Sequence, residues 1–173
     1  MSRIFPTKMP GMEPDEVDGI VEAWRRERAD LDLAPVEVFS RISRLSRLLD
    51  RARKDAFAAQ TIELWEFDVL AALRRAGRPY RLSPGQLLRE TMVTSGTMTN
   101  RIDRLAARGY VERSPDPRDR RGVLVGLTTA GKRAVDGAFE SLIAGERDLL
   151  AELSSAERRE LAALLKRLMR PLQ

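Results

Sequence analysis

A group of short polar side chains and arginines lies in the second half of this 173-residue chain, next to a signal for the start of a helix. The group consists of Ser95, Thr97, Thr99, Asn100, Arg101 and Arg104. Hydroxyl, amide and guanidinium groups of this kind can read base edges in a major groove or bind phosphate, and free N–H groups at a helix start also attract phosphate. The group therefore predicts a helix that contacts nucleic acid. An ordinary amphipathic surface helix with a polar N-cap is the alternative.

A second group of charges follows between Asp116 and Gly122. Its arginines are Arg118, Arg120 and Arg121, and its acids are Asp116 and Asp119. Three arginines so close together repel one another unless acids or an external anion offset them, and the two aspartates can pair with only two. The remaining arginine suits the negative potential of a narrow minor groove. The alternative is a solvated charged loop.

The elements that would position these groups can be read from local signals. Ser83 to Gln86 combines a serine cap, a proline at the first helical position and a glutamine at the third, which predicts a short helix. A second helix begins at Thr94 or Ser95 and stops at Gly109, and its inward face carries Met98, Ile102 and Leu105 at helical spacing. Residues 110–114 and 123–127 are predicted strands, joined by a turn over 115–122. The predicted fold is mainly α with a small β-wing, a winged helix-turn-helix.

Helices are predicted on both sides of this unit. Residues 1–12 are expected to form a flexible arm, and residues 13–173 a single domain. Within it, 61–128 form the winged part, and 13–57 and 129–173 form helices whose apolar faces exceed what a small core needs. These outer helices are candidates for dimer contacts. The third helix is expected to begin with Thr61 as its cap and to enclose Asp68, a buried acid that needs a partner.

Composition narrows the possible functions. Apolar residues make up 43% of the chain, and neither cysteine nor histidine occurs. Disulfides, thiol catalysis and a Ser-His-Asp triad are therefore excluded, and we expect no catalytic residues, no metal and no cofactor. The net charge of +5 permits nucleic-acid binding. No apolar run is long enough to span a membrane and no signal peptide is visible, so we expect a cytoplasmic protein without a membrane partner.

From about Val36 to its C-terminus, the sequence resembles the MarR family of bacterial transcription regulators. The most specific segments are Ser95-Gly96-Thr97-Met98-Thr99-Asn100-Arg101-Ile102-Asp103-Arg104-Leu105, Gly109-Tyr110-Val111-Glu112-Arg113, Asp116-Pro117-Arg118-Asp119-Arg120-Arg121 and Leu127-Thr128-Thr129-Ala130-Gly131. The resemblance implies a homodimeric repressor on a pseudo-palindromic double-stranded DNA operator, with recognition helices about one DNA turn apart, roughly 34 Å. It also implies that Arg121 enters the minor groove and that Asp119 holds it.

The chain further resembles the urate-responsive, PecS-like branch of that family. The matching positions are Trp24, Asp68, Arg75, Arg101 and Arg113. Asp68 and Arg75 are two helical turns apart and share a face, and Arg113 could pair with Asp68. The resemblance suggests a small anionic aromatic ligand such as urate that stacks on Trp24, binds Arg75, repels Asp68 and competes for Arg113, thereby shifting the recognition helix.

Several alternatives stay open. Trp24 could be a packing residue and Asp68–Arg113 a structural ion pair, and the ligand could be another purine, a small carboxylate or a phenolic acid. The protein could also be a winged-helix DNA-binding regulator without a ligand, or a protein-interaction module.

Overall fold

The computed structural model describes residues 13–58, 60–91 and 93–170, with the backbone alone at Arg120 and Arg121. The arm predicted over residues 1–12 lies outside the described residues. The chain forms two compact units, one ending at Leu49 and the other beginning at Asp50. Each unit is described separately.

The first unit contains α1 (Glu16–Glu27) and the first part of α2 (Ala34–Ala58). Asp15 caps α1 and accepts a hydrogen bond from Arg41 of α2 at 2.8 Å, which lowers the pKa of Asp15 to about 2. Val17 and Val21 are buried against the start of α2. Trp24 follows Val21 by three positions on α1, yet it is 52% exposed, so the buried stripe of α1 ends at Val21.

The second unit holds the remaining elements. Its helices are α3 (Leu64–Arg75), α4 (Pro84–Thr91), α5 (Ser95–Ala107), α6 (Thr129–Leu149) and α7 (Ser155–Met169), and its strands are β1 (Arg81–Leu82), β2 (Val111–Asp116) and β3 (Asp119–Leu127). The strands form one antiparallel sheet in the order β1-β3-β2. The predicted fold class, mainly α with a small β-wing, is confirmed. Within the described residues, no helix is both long and apolar enough to cross a membrane.

The core of this unit is built on α3. Leu70 and Leu73 of α3 are completely buried together with Leu87 of α4 and Leu105 of α5. Burying a leucine side chain stabilises a fold by about 1.5–3 kcal/mol, so these contacts hold α4 and α5 firmly against α3. Met98, Ile102 and Leu105 form the buried face of α5 as predicted, and the polar face of the same helix is consequently left at the surface.

The start of α3 differs from the prediction. Thr61 does not cap the helix, because its backbone has a φ of +53° and its hydroxyl donates to the carbonyl of Gln60. Glu63 occupies the N-cap position, and its N–H donates to the carboxylate of Glu66. The helix therefore begins two residues later than a Thr61 cap would place it.

Local signals set the junction between α5, the wing and α6. Gly109 ends α5 with a φ of +71°, a conformation that glycine adopts without strain. The Thr128 hydroxyl donates to the Gly109 carbonyl at 2.7 Å and accepts from the N–H of Gly131 at 3.0 Å. A Cβ at Gly131 would lie 2.0 Å from the Tyr110 carbonyl oxygen. Glycine at position 131 thus allows the start of α6 to pack directly on the wing backbone.

The wing turn is shorter than the predicted span of 115–122. Strand β2 continues to Asp116 and β3 begins at Asp119, so only Pro117 and Arg118 form the turn. The N–H of Arg118 donates to the Asp116 carboxylate at 2.9 Å, which closes the turn. Gly122 permits this tight pairing, since a Cβ there would lie 2.9 Å from the Cβ of Asp116. Arg120 and Arg121 consequently belong to strand β3 and not to the turn.

Candidate nucleic-acid interface

The outer face of α5 carries the polar residues that the sequence singled out. Ser95, Thr97, Thr99, Asn100 and Arg104 are exposed, and Arg101 is half-buried. The Thr97 hydroxyl lies 2.9 Å from that of Thr94, and the Thr99 hydroxyl donates to the Ser95 carbonyl at 3.2 Å. These contacts orient the hydroxyls, and the face remains open to a partner. The part of these residues in DNA binding stays a prediction.

An open depression of about 450 Å³ lies beside this face and is lined by Trp65, Gly96, Thr97, Asn100, Arg101 and Arg104. Its aromatic wall is Trp65 of α3. The guanidinium carbons of Arg104 and Arg101 lie 4.5 and 5.6 Å from the centre of its ring, within range of cation–π attraction. Trp65 belongs to a helix that is apolar on nearly every side, a pattern that favours a place in the core. Only packing shows that its ring lies beside the arginines of α5.

Two carboxylates in the first turn of α3 hold two arginines of α5. Glu63 accepts from Arg104 at 3.1 Å through one oxygen and from the Trp65 indole N–H at 2.7 Å through the other. Glu66 accepts from Arg108 at 2.5 Å. Arg104 and Arg108 are one helical turn apart, so the two ion pairs connect the start of α3 to two successive turns at the end of α5.

The two pairs differ in burial. Glu66 is 1% exposed, and its hydrogen bond raises the pKa of Arg108. Arg108 also donates to the Thr61 carbonyl at 2.7 Å and to the Tyr110 hydroxyl at 3.2 Å. By contrast, the side chains of Arg104 and Glu63 are 54% and 60% exposed. In the Glu66 pair the carboxylate is therefore buried and the Arg108 side chain is 35% exposed, whereas both members of the Glu63 pair are open to solvent.

The proposed ligand residues are arranged differently from the sequence interpretation. The acid of α3 that is buried is Glu66, and Asp68 lies at the protomer surface. Nearby protein still desolvates the Asp68 carboxyl, which raises its pKa, while the positive charges of Arg101, Arg53 and Arg75 oppose that rise. The charges of Arg101 and Arg75 thus act on Asp68, and a common ligand site for these residues stays a prediction.

Arg113 does not pair with Asp68, which corrects the predicted ion pair. Its guanidinium lies 2.6 Å from the carboxylate of Asp103 on α5, because β2 packs beside that helix. Arg75 is exposed and donates to Glu90 of α4 at 3.2 Å. Trp24 belongs to the first unit, and its place in a ligand site stays a prediction.

The wing places its charges along an exposed hairpin. Arg118 is exposed in the turn, and Asp119 opens β3 opposite Asp116. The backbone of Arg120 and Arg121 continues β3 next to them. The predicted support of Arg121 by Asp119 stays a prediction.

A helix-turn-helix followed by a basic antiparallel hairpin defines a winged helix-turn-helix protein. A family model described as MarR family matches residues 60–122. The transcriptional regulator PecS of Dickeya dadantii (strain 3937) is 42% identical over 152 residues, which cover 88% of this chain and 92% of that protein. The chain belongs to the MarR family of transcriptional regulators.

Solved structures agree with this assignment. A mutant of the Escherichia coli protein MarR in complex with operator DNA matches with a TM-score of 0.66 and 29% identity, covering 79% of this chain and 96% of that one. The structure of Bordetella bronchiseptica BpsR, a protein whose DNA binding is regulated by 6-hydroxynicotinic acid, matches with a TM-score of 0.57 and 28% identity. That match covers 73% of this chain and 91% of BpsR.

Proposed function

We propose that this protein is a sequence-specific, homodimeric repressor that binds a pseudo-palindromic operator and is released by a small anionic ligand. The observation that carries the proposal is the exposed polar face of α5 beside a basic hairpin. In this proposal Thr97, Asn100 and Arg101 face the major groove, and Arg121 enters the minor groove. The operator complex of E. coli MarR supports it through the common fold.

Exposed apolar side chains support the homodimer. Phe39, Leu45 and Leu48 of α2, Phe139 and Ile143 of α6, and Leu161, Leu164, Leu165 and Leu168 of α7 are each between 37% and 55% exposed in the protomer. Soluble proteins rarely leave large apolar patches uncovered, and such patches mark interaction sites. A second copy of the chain would cover these side chains, and we propose that the two copies of α5 then lie about one DNA turn apart, roughly 34 Å.

DNA binding should depend steeply on salt. Each phosphate that an arginine neutralises contributes about −0.9 to the slope of log K against log[salt] for a DNA duplex. We expect binding to the intergenic DNA upstream of its own gene to weaken by about 10³-fold or more between 50 and 200 mM salt if six or more phosphates are contacted. Fluorescence anisotropy at several salt concentrations measures this. Binding that is absent, or that does not change with salt, would contradict a DNA-binding function.

The arginines near Asp68 support an anionic ligand. Asp68 has a raised pKa because it is desolvated, and Arg75 and Arg101 act on it electrostatically. An anion bound by Arg75 would repel the Asp68 carboxylate. It would also attract the guanidinium of Arg101, which lies on α5. BpsR offers a precedent in a similar fold, since the 6-hydroxynicotinic acid that regulates its DNA binding is a small aromatic acid.

Urate added to the protein–DNA complex should release the duplex. We expect Arg75→Ala to keep its DNA affinity and to require about 10-fold more urate, because a charge-assisted hydrogen bond contributes roughly 1.5–3 kcal/mol. Arg78→Ala, an exposed arginine beyond the end of α3, is the matched control and should respond like wild type. If wild type ignores millimolar urate while 6-hydroxynicotinic acid releases the DNA, the ligand is a different aromatic acid. If neither compound acts, the proposed ligand response is wrong.

A further inference from the structure

The contrast between the two α3–α5 ion pairs suggests that they have different functions. Arg108 is bound to a buried carboxylate and to two further oxygen atoms, so its departure would leave the buried charge of Glu66 unpaired. Arg104 is bound to an exposed carboxylate and rests on one face of Trp65. An exposed ion pair contributes little free energy and exchanges readily with water or other anions. Arg104 can therefore change partners while α5 stays in place.

The Glu63 carboxylate is well placed to hold Arg104. One of its oxygens accepts the indole N–H of Trp65 at 2.7 Å, which fixes the carboxylate beside a residue that lines the depression. The other oxygen faces Arg104 at 3.1 Å. The Trp65 ring lies 4.5 Å from the guanidinium carbon and steers it toward the same carboxylate.

The same arrangement puts an acid at a surface where phosphate is expected. Arg104 lines the depression with Thr97, Asn100 and Arg101, the residues proposed to face DNA. A phosphate that approaches this face must take Arg104 from Glu63, and it leaves the carboxylate without its strongest donor. Each DNA-binding event therefore includes the loss of an internal ion pair.

We propose that Glu63 competes with the DNA backbone for Arg104 and thereby sets how tightly the protein binds DNA of any sequence. The inference rests on the proposed DNA-binding function. Glu63 is a positioning residue that acts through Arg104, and Trp65 holds both groups. The pair keeps Arg104 occupied in the free protein and weakens every complex to a similar degree, because phosphate contacts carry no sequence information.

A double-mutant cycle tests the proposal. It uses wild type, Glu63→Gln, Arg104→Gln and the double variant, each with a duplex that the wild-type protein enriches from a random pool and with a shuffled duplex. Glu63→Gln should tighten binding to both duplexes by about 2- to 5-fold per protomer, the range expected when an exposed ion pair no longer competes. Arg104→Gln should weaken both and reduce the salt slope by about 0.9 per protomer. Adding Glu63→Gln to Arg104→Gln should then have little effect.

Controls separate competition from general repulsion and from misfolding. Glu90→Gln removes an exposed carboxylate of similar burial that is paired with Arg75, and it should leave DNA affinity close to wild type. Trp65→Phe removes the indole N–H that orients Glu63 and should shift affinity in the same direction as Glu63→Gln. Thermal melts identify any variant that does not fold.

Other outcomes overturn the proposal. If Glu63→Gln tightens binding equally with and without Arg104, Glu63 acts as a simple repulsive charge. If it tightens only the enriched duplex, Arg104 reads a base and not a phosphate. If wild type binds both duplexes and Glu63→Gln matches it, only this inference fails. If wild type enriches no duplex from the random pool, the proposed function fails as well.

Discussion

Arg108→Met should lower the free energy of unfolding by about 3 kcal/mol, the lower end of the range for breaking a buried ion pair. The substitution keeps most of the side-chain volume and removes the arginine hydrogen bond that Glu66 accepts. Glu66 is 1% exposed, so its charge would remain in a poorly solvated position. Urea denaturation of the full chain at neutral pH measures the loss.

The matched control is Arg104→Met, the same substitution one helical turn earlier. Its partner Glu63 is 60% exposed, so water can replace the lost hydrogen bond, and we expect a loss below about 1 kcal/mol. The double variant Glu66→Gln with Arg108→Met should recover much of the stability, because it removes the uncompensated charge and a glutamine oxygen can still accept from the Glu63 N–H. Equal losses for Arg104→Met and Arg108→Met would contradict the structural role given to the buried pair.

Asn100→Ala and Arg121→Ala should weaken DNA binding in different ways. An amide that pairs with a base edge contributes about 1–3 kcal/mol of discrimination, or roughly 5- to 150-fold per half-site. We therefore expect Asn100→Ala to lower the affinity for the operator by that factor, to change the preferred base at one position of each half-site and to leave binding to a shuffled duplex nearly unchanged. Binding selections with randomised half-sites measure the change in preference.

Arg121→Ala should weaken binding to operator and shuffled duplex alike, because the minor groove attracts arginine mainly through its negative potential. Arg26→Ala, an exposed arginine of α1, is the control for the same change in net charge and should have a much smaller effect. If the Asn100 and Arg121 variants lose affinity in the same pattern on both duplexes, the division into base reading and groove reading is wrong.

Local chemistry made much of the fold predictable from the sequence. The Ser83–Gln86 helix start forms its reciprocal hydrogen bonds, with the Ser83 N–H donating to the Gln86 side chain at 2.8 Å. Gly109 ends α5 where a left-handed residue is required, and Thr128 caps α6. Each of these features depends on residues within a few positions of one another, so their types alone constrain the backbone. The buried face of α5 was predictable for the same reason, because helical spacing and apolarity coincide at Met98, Ile102 and Leu105.

The wing shows where local signals are insufficient. A cluster of proline, aspartate and arginine predicts a turn, yet it does not determine how far the strands continue into the cluster. Pairing between β2 and β3 sets that limit: Asp116 lies opposite Asp119, and Gly122 leaves room for both. Backbone hydrogen bonding across the hairpin therefore placed Arg120 and Arg121 in a strand where composition had suggested a loop.

The sequence by itself determined the class of the protein and the residues on the outer face of α5, because both follow from periodicity, caps and a set of side chains within one helix. Only the tertiary structure decided which acid of α3 is buried and which cation each acid meets. Glu66 and Arg108 are separated by 42 positions, and Glu63 and Arg104 by 41. Helical periodicity could not distinguish Glu66 from Asp68, since both lie in an apolar helix. Which of the two acids is buried depends on which side of α3 faces α5 and the wing. The packing of the whole core sets that orientation of α3.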